Sequence, residues 1–251
     1  MKYYSISTMQ GVKQVYKRIG ETPLETLNRN KDPTITEYAY TGRLDPMAHG
    51  YLLLLFGDET KKIKEYNQKS KKYKFQMLVG IETDTTDILG LIQTYTTSTQ
   101  INVNQIVQKY NGLTYYQEYH IYSSMTAPNK DGIKVPLWKL AKDKDLPKII
   151  PSKIVTINDF KLNQMFIINR NDLQSKIRNN LSQLTTTGQF RLDEIKSKWE
   201  SFTFSDQYYV YEFDADVSSG TYIRQLVKDI GTDLGKPTMV IDLYRYPFDK
   251  I

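Results

Sequence analysis

The chain has 251 residues, no cysteine, and 34 basic against 28 acidic residues, which gives a net charge of +6 at pH 7. The absence of cysteine excludes disulfides, thiolate metal sites and a cysteine nucleophile. The longest apolar run, residues 51–56, is far shorter than the roughly 20 residues that cross a bilayer. The first ten residues lack the apolar centre of a signal peptide. We therefore expect a soluble, cytoplasmic protein with one domain, whose mild positive charge permits a nucleic-acid partner.

The first half of the chain contains one clear strand and two helix signals. A short helix in the first forty residues is ended by the turn at 31–33, which includes Pro33. From Lys72 onward, apolar and mostly polar residues alternate up to Gly80, which predicts a strand with one apolar face. Residues 101–110 have helical spacing and are followed by Asn111 and Gly112, a typical helix end.

The middle of the chain is less regular. Residues 122–146 contain proline, glycine and many lysines without a clear period, which predicts a long loop. A strand is expected at 151–162. Residues 172–199 predict an inserted pair of polar helices, interrupted at Gly188.

The last fifty residues predict a strand, a turn, a helix and a strand. Residues 208–217 alternate in the manner of a strand, and the turn at 218–221 offers hydroxyl side chains to cap a helix at 222–234. Gly235 ends that helix, and 240–244 supplies the last strand. Strands joined both by turns and by helices indicate an α+β fold.

The segment 38–50 combines an acid, a base and turn-forming residues beside an apolar strand. Pro46 keeps Asp45 out of a helix, so this dipeptide by itself would indicate only a turn. The surrounding residues, however, resemble the catalytic motif of the TruB family of tRNA pseudouridine synthases. They are Gly42, Arg43, Leu44, Asp45, Pro46, Met47, Ala48 and Gly50, followed by Gly57, Thr60 and Lys61.

The resemblance to this family continues in the expected order along almost the whole chain. The further matching positions are Lys17, Gly20 and Thr22; Lys72 and Tyr73; Gly80, Thr83, Asp84, Thr85, Asp87 and Gly90; Gln117, Tyr122 and Ser123; and Ser219, Gly220, Thr221, Tyr222, Ile223, Arg224, Asp229, Gly231, Leu234, Gly235, Leu243 and Arg245. The number and order of these motifs carry more weight than any single one.

The resemblance implies a pseudouridine synthase fold, a mixed and largely antiparallel sheet flanked by helices and loops. It implies an enzyme without cofactor or metal that isomerises uridine to pseudouridine in the T-loop of tRNA, with the T-arm as RNA partner. Asp45 is then the catalytic carboxylate, paired with Arg224. Tyr73 is expected to stack under the flipped base and to accept a proton late in the reaction. We expect a monomer.

Four further residues are expected to contact the substrate. Lys17 is expected to steady the active-site loop or to bind a phosphate, and Leu243 to form part of the wall of the base pocket. Arg43 belongs to the catalytic motif. Tyr40 stands where the family usually has a histidine that fills the space of the extruded base. The lysines of 122–146 are candidates for phosphate contacts.

Several alternatives remain open on the sequence. The insertion at 172–199 departs from the common pattern, and no residues follow Ile251 for the small RNA-binding domain of many relatives. The chain could thus act on another RNA or bind tRNA without turnover. Action with a separate guide RNA is also open, although a guided relative would normally carry that C-terminal domain. A hydrolase with Asp84 as second acid needs a matched carboxylate pair, and Asp84 and Asp87 read better as turn-forming residues.

Two other kinds of site are not expected. Neither His49 nor His120 has a second histidine at metal-ligand spacing, and both read as loop residues. No serine lies in a recognisable serine hydrolase arrangement.

Overall fold

The computed structural model describes residues 8, 9, 11–184 and 191–249. The interruption predicted at Gly188 lies outside these residues. The strands are β1 Thr8–Met9, β2 Val12–Lys17, β3 Tyr38–Thr41, β4 His49–Phe56, β5 Lys71–Val79, β6 Ile81–Thr83, β7 Ile92–Tyr95, β8 Thr114–Glu118, β9 Thr126–Pro128, β10 Lys134–Pro136, β11 Ser152–Asn169, β12 Gln207–Val217 and β13 Thr238–Arg245. The helices are α1 Pro23–Asn30, α2 Ile63–Gln68, α3 Val103–Tyr110, α4 Leu137–Lys142, α5 Arg170–Ser182, α6 Leu192–Ser201 and α7 Ile223–Leu234, with a 3₁₀ turn at Gly57–Lys62.

One large sheet organises the fold. Its described strands follow the order β1-β2-β4-β13-β5-β12-β11-β8, and β3 pairs with β4 beside this path. Strands β4 and β13 run parallel, whereas the other neighbours in this sheet are antiparallel. The expected α+β architecture with a mixed, largely antiparallel sheet is confirmed.

The alternation predicted from Lys72 places one row of side chains in the core. Strands β5 and β12 pair in antiparallel orientation, with Phe75 opposite Phe213. Two residues earlier on β5, Tyr73 lies opposite Ala215. Successive side chains on a strand point to opposite faces, so these residues share one face. The ring of Phe213 stacks on that of Phe160 at a centroid distance of 4.8 Å, and the buried side of α7 packs against the same cluster.

The inserted helices α5 and α6 cover a second apolar cluster. Their buried residues pack with Leu78 of β5 and Val210 of β12, both completely buried. The indole Nε1 of Trp199 donates a hydrogen bond to the carbonyl of Ile88 at 3.0 Å. The insertion is therefore part of the packed fold, and its position relative to the sheet is fixed.

The structure corrects four local predictions. The segment 122–146 contains the hairpin β9–β10 and helix α4. Strand β11 extends beyond the predicted end, to Asn169, because it pairs with β12 along most of its length. Strands β2 and β3 were not predicted, and His49 opens β4, so it is not a loop residue.

The predicted hydroxyl cap of α7 is wrong. Its N-cap residue is Tyr222, which makes no capping hydrogen bond with its side chain. The Thr221 hydroxyl instead donates to the Ser218 carbonyl within the turn, at 2.9 Å. The backbone N–H of Tyr222 donates to the side-chain oxygen of Gln117, at 2.8 Å. A side chain distant in sequence thus satisfies the start of the helix.

No helix in the part of the chain that the structure describes is long and apolar enough to cross a membrane.

Candidate active site

Asp45 lies in the loop between β3 and β4, and a buried lysine fixes that loop. The Lys17 ammonium donates hydrogen bonds to the carbonyls of Ala48 at 2.6 Å, Arg18 at 3.0 Å and Pro46 at 3.3 Å. Lys17 has no exposed surface. Burial lowers the pKa of Lys17 to about 7, although Asp45 raises it in part. These contacts agree with the loop-steadying alternative, and the enclosed ammonium offers no exposed surface to a phosphate.

The predicted pairing of Arg224 with Asp45 is present. The Arg224 Nε lies 2.7 Å from the Asp45 Oδ2. The other two guanidinium nitrogens donate to the carbonyls of Thr85 at 2.8 Å and Tyr122 at 3.1 Å. Arg224 is only 4% exposed. A guanidinium with all three nitrogens engaged in this way has one orientation, so it holds the Asp45 carboxylate in place.

A second carboxylate, Asp87, shares the same guanidinium. Its Oδ2 lies 3.7 Å from the Arg224 Nε, and its Oδ1 accepts from the Thr85 hydroxyl at 2.6 Å and the Leu89 N–H at 2.9 Å. Burial raises the pKa of Asp87 to about 6, although Arg224 opposes that rise. Burial likewise disfavours the charge of Arg224, but Asp45 and Asp87 outweigh this and raise its pKa.

The interpretation of Asp87 as a mere turn-former was therefore incomplete. Its position in the motif around Thr83, Asp84 and Thr85 was the signal that could have identified it. Asp84 does support the turn, because its Oδ1 accepts from the Leu91 N–H at 2.8 Å.

A cavity of about 1020 Å³ opens beside Asp45. Four of the other residues expected at the site line it: Tyr40, Arg43, Tyr73 and Leu243. Tyr73 and Leu243 are almost completely buried, at 7% and 6% exposure, whereas Arg43 is exposed. Lys17 and Arg224 do not line this cavity, since they lie behind the loop and the carboxylate that they hold. The sequence-predicted residues thus meet in two layers: one lines the cavity, and the other, Lys17 and Arg224, supports it from behind.

Sequence reasoning gave Arg245 no role at the site, although it matched a family motif. Its Nε donates to the Tyr51 carbonyl at 2.7 Å and one terminal nitrogen to the Gly42 carbonyl at 2.9 Å. Arg245 is 1% exposed and lines the cavity. It ties β13 to the start of the loop that contains Asp45.

His120 is a buried structural residue. One ring nitrogen lies 3.1 Å from the Thr86 hydroxyl and the other accepts from the Tyr122 N–H at 3.1 Å. Burial lowers its pKa well below the ordinary value. Among the described residues, no three histidine or carboxylate side chains come close enough together to hold a metal ion.

The chain is similar to a known protein family along most of its length. A family model described as "TruB family pseudouridylate synthase (N terminal domain)" matches residues 31–183. The tRNA pseudouridine synthase 4 of Saccharomyces cerevisiae is 27% identical over 271 residues, which cover 93% of this chain and 64% of the yeast protein. The tRNA pseudouridine synthase B of Limosilactobacillus reuteri is 27% identical over 241 residues, or 94% of this chain and 66% of the bacterial protein. The chain therefore covers less than two thirds of either relative.

A human protein and a solved structure extend the comparison. The human pseudouridylate synthase TRUB1 is 25% identical over 258 residues, which cover 95% of this chain and 60% of TRUB1. The crystal structure of a Cbf5–Nop10–Gar1 complex contains a chain with a TM-score of 0.51 and 14% identity, covering 94% of this chain and 47% of that one. At that identity the likeness shows a shared fold.

Proposed function

The chain belongs to the TruB family of pseudouridylate synthases, and we propose that it isomerises uridine to pseudouridine in RNA, with Asp45 as the catalytic carboxylate. The reaction breaks the bond between the ribose and N1 of uracil, turns the base, and joins the ribose to C5. It changes no oxidation state, so one well-placed carboxylate, acting as nucleophile or base, suffices for the chain's part.

The environment of Asp45 is the observation that carries this proposal. Its side chain is 29% exposed, whereas that of its partner Arg224 is 5% exposed. One side of the carboxylate is thus held by a buried guanidinium, and the other faces a cavity. A reacting group needs both, a fixed orientation and access to the substrate.

The walls of the cavity support a base-flipping step. An enzyme that acts on a base takes it out of the helix stack and holds it between aromatic or apolar side chains. We assign Tyr73 to stacking on the target base, with its hydroxyl as the proton acceptor, and Leu243 to the opposite contact. Tyr40 would occupy the space that the extruded base leaves, and the exposed Arg43 would contact the RNA at the mouth of the cavity.

We propose the T-loop of tRNA as the substrate. The yeast and bacterial relatives are named tRNA pseudouridine synthases. The net charge of +6 suits a polyanion. The segment 122–146 presents five exposed lysines for phosphate contacts: Lys130, Lys134, Lys139, Lys142 and Lys144. We place the reaction in the cytoplasm, carried out by a monomer.

The proposal is tested by mapping pseudouridine in unmodified tRNA transcripts, by carbodiimide-dependent stops of reverse transcription. Wild-type protein should produce a new stop in the T-loop, and Asp45→Asn should bind the transcript and produce none. Asp58→Asn is the matched control, because that carboxylate is exposed and pairs only with the exposed Lys61 among the described residues.

Each outcome has a separate meaning. A stop outside the T-loop would retain the reaction and refute the tRNA assignment. Binding by wild-type protein without any stop would indicate an RNA-binding module and refute the reaction. Equal activity of Asp45→Asn and wild type would remove Asp45 from catalysis.

A further inference from the structure

A second cavity, of about 430 Å³, meets the first one at Asp45. Both cavities are lined by Asp45, Tyr40 and Arg43. Away from Asp45, the second cavity is lined by Trp138 and Lys142 of helix α4 and by two residues of the insertion, Arg191 just before α6 and Ile195 within it. Its volume is in the range of small-ligand sites.

The charge of this cavity suits an anion. Four basic side chains line it against the two carboxylates Asp45 and Asp87. Arg224 is bound to those two carboxylates and Arg191 to Asp84, which leaves Arg43 and Lys142. Arg43 and Lys142 are exposed, and neither side chain has an ion pair or hydrogen bond within the described residues. A phosphate would supply the counter-charge.

Arg191 is held in place at the edge of the cavity. Its guanidinium lies 2.7 Å from the Asp84 carboxylate and 5.2 Å from the ring centroid of Tyr122. The Tyr122 hydroxyl donates to the same Asp84 oxygen, at 2.9 Å. The Arg191 side chain is still 24% exposed. A planar guanidinium fixed by one carboxylate and one ring retains donors that suit a phosphate.

Trp138 offers an aromatic surface in the lining of the same cavity. It is 40% exposed, an unusual position for the largest apolar side chain. Its backbone N–H donates to the Ser123 carbonyl at 3.0 Å, which fixes the start of α4. An exposed aromatic ring beside basic groups is the arrangement with which proteins hold single-stranded bases.

We infer that this second cavity binds the nucleotide next to the target uridine in the same RNA strand. Its phosphate lies against Lys142, Arg43 and Arg191, and its base stacks on Trp138. The inference rests on the proposed function, because the target uridine at Asp45 places its neighbour at the junction of the two cavities. The insertion at 172–199 then acts as a specificity element, since it supplies Arg191.

The test measures RNA affinity against salt concentration for Lys142→Gln, Arg191→Gln and Trp138→Ala. The RNA is a T-arm hairpin, intact or with an abasic residue on either side of the target uridine. Lys142→Gln and Arg191→Gln should each weaken binding roughly tenfold and reduce the slope of log K against log salt by about 0.7. Trp138→Ala should weaken binding of the intact hairpin and of one abasic hairpin, but not of the other, whose missing base is the one that stacks on it.

Lys196→Gln is the matched control, because Lys196 is an exposed cation of the same inserted helix that does not line the cavity. It should leave affinity and salt slope unchanged. Single-turnover formation of pseudouridine is measured in parallel on every variant, so that binding and chemistry are separated.

Three results would overturn the inference. Unchanged affinity and slope in all three variants, with active wild-type protein, would refute the cavity as an RNA contact and leave the proposed function intact. A slower reaction of Arg191→Gln with unchanged affinity and slope would make Arg191 a positioning residue that acts through Asp84 and Tyr122. Absence of pseudouridine with wild-type protein on every RNA would refute the proposed function and the inference with it.

Discussion

Replacing Arg224 by methionine should destabilise the protein in a pH-dependent way. The substitution keeps an unbranched apolar chain at this position and removes the guanidinium and its charge between Asp45 and Asp87. At 3.7 Å from the Arg224 Nε, a unit charge on Asp87 is stabilised by about 4.5 kcal/mol at an effective dielectric constant of about 20. Breaking a buried ion pair typically costs about 3 to 5 kcal/mol. We expect a loss of that size at pH 8.

The pH dependence follows from the pKa of Asp87. In the wild-type protein burial raises that pKa to about 6, so the folded protein has released this proton by pH 7. Without Arg224 the pKa rises further, and the folded variant keeps a proton that its unfolded chain has lost. The variant then loses about 1.4 kcal/mol relative to wild type for every pH unit above 6, up to its own new pKa.

Urea unfolding at pH 5, 6, 7 and 8 measures this gap. Between pH 6 and pH 8 it should widen by about 2.7 kcal/mol, or about 5 to 10 °C in melting temperature. Arg170→Met is the matched control, because Arg170 and its partner Asp206 are exposed, and its effect should be small and independent of pH in this range. A gap for Arg224→Met that stays constant from pH 5 to pH 8 would refute the electrostatic coupling of Arg224 and Asp87.

Four further substitutions, one of them a control, test the loop, the backbone and the base pocket. In the folded protein, burial lowers the pKa of Lys17 to about 7. Between about pH 7 and 10.4 the unfolded chain therefore binds one more proton than the folded protein. In that window the unfolding free energy of wild type, measured with urea, should rise relative to that of Lys17→Met by about 1.4 kcal/mol per pH unit. Gly50 has φ of +117° and a Cβ there would lie 2.2 Å from the Arg245 carbonyl oxygen, so Gly50→Ala should cost more than about 3 kcal/mol of unfolding free energy. Gly57→Ala, with φ of +59° and open space, should cost only about 1 kcal/mol. Tyr73→Phe should keep RNA affinity, because the stacking ring remains. It should slow single-turnover pseudouridine formation, because the hydroxyl is lost. An unchanged rate would exclude that hydroxyl as the proton acceptor.

Local sequence determined the elements with a strong period or a clear boundary. The alternation after Lys72 predicted β5, and the alternation of 208–217 predicted β12, because half-buried strands require apolar residues at every second position. Gly235, with φ of +60°, ends α7 as predicted, since glycine adopts this conformation without strain. The order of the motifs along the chain can be read without coordinates. That order pointed to Asp45 and to its pairing with Arg224.

Which distant groups meet was decided by the tertiary structure. Periodicity tells which face of a strand is apolar, but the partner strand and its register depend on packing of the whole sheet. Asp87 therefore read as a turn residue, although the sheet brings it to Arg224. For Lys17 the sequence left two roles open, steadying the loop or binding a phosphate, because its burial depends on the pairing of β2 with β4.

The same reason explains the start of α7 and the second cavity. Gln117 and Tyr222 are 105 residues apart, and their hydrogen bond requires β8 and α7 to be neighbours. Asp84 and Arg191 are 107 residues apart, and their ion pair requires the insertion to pack beside the turn that follows β6. The sequence by itself determined the order of the motifs and the residues proposed to carry chemistry, whereas only the folded sheet determined which charges share a buried space.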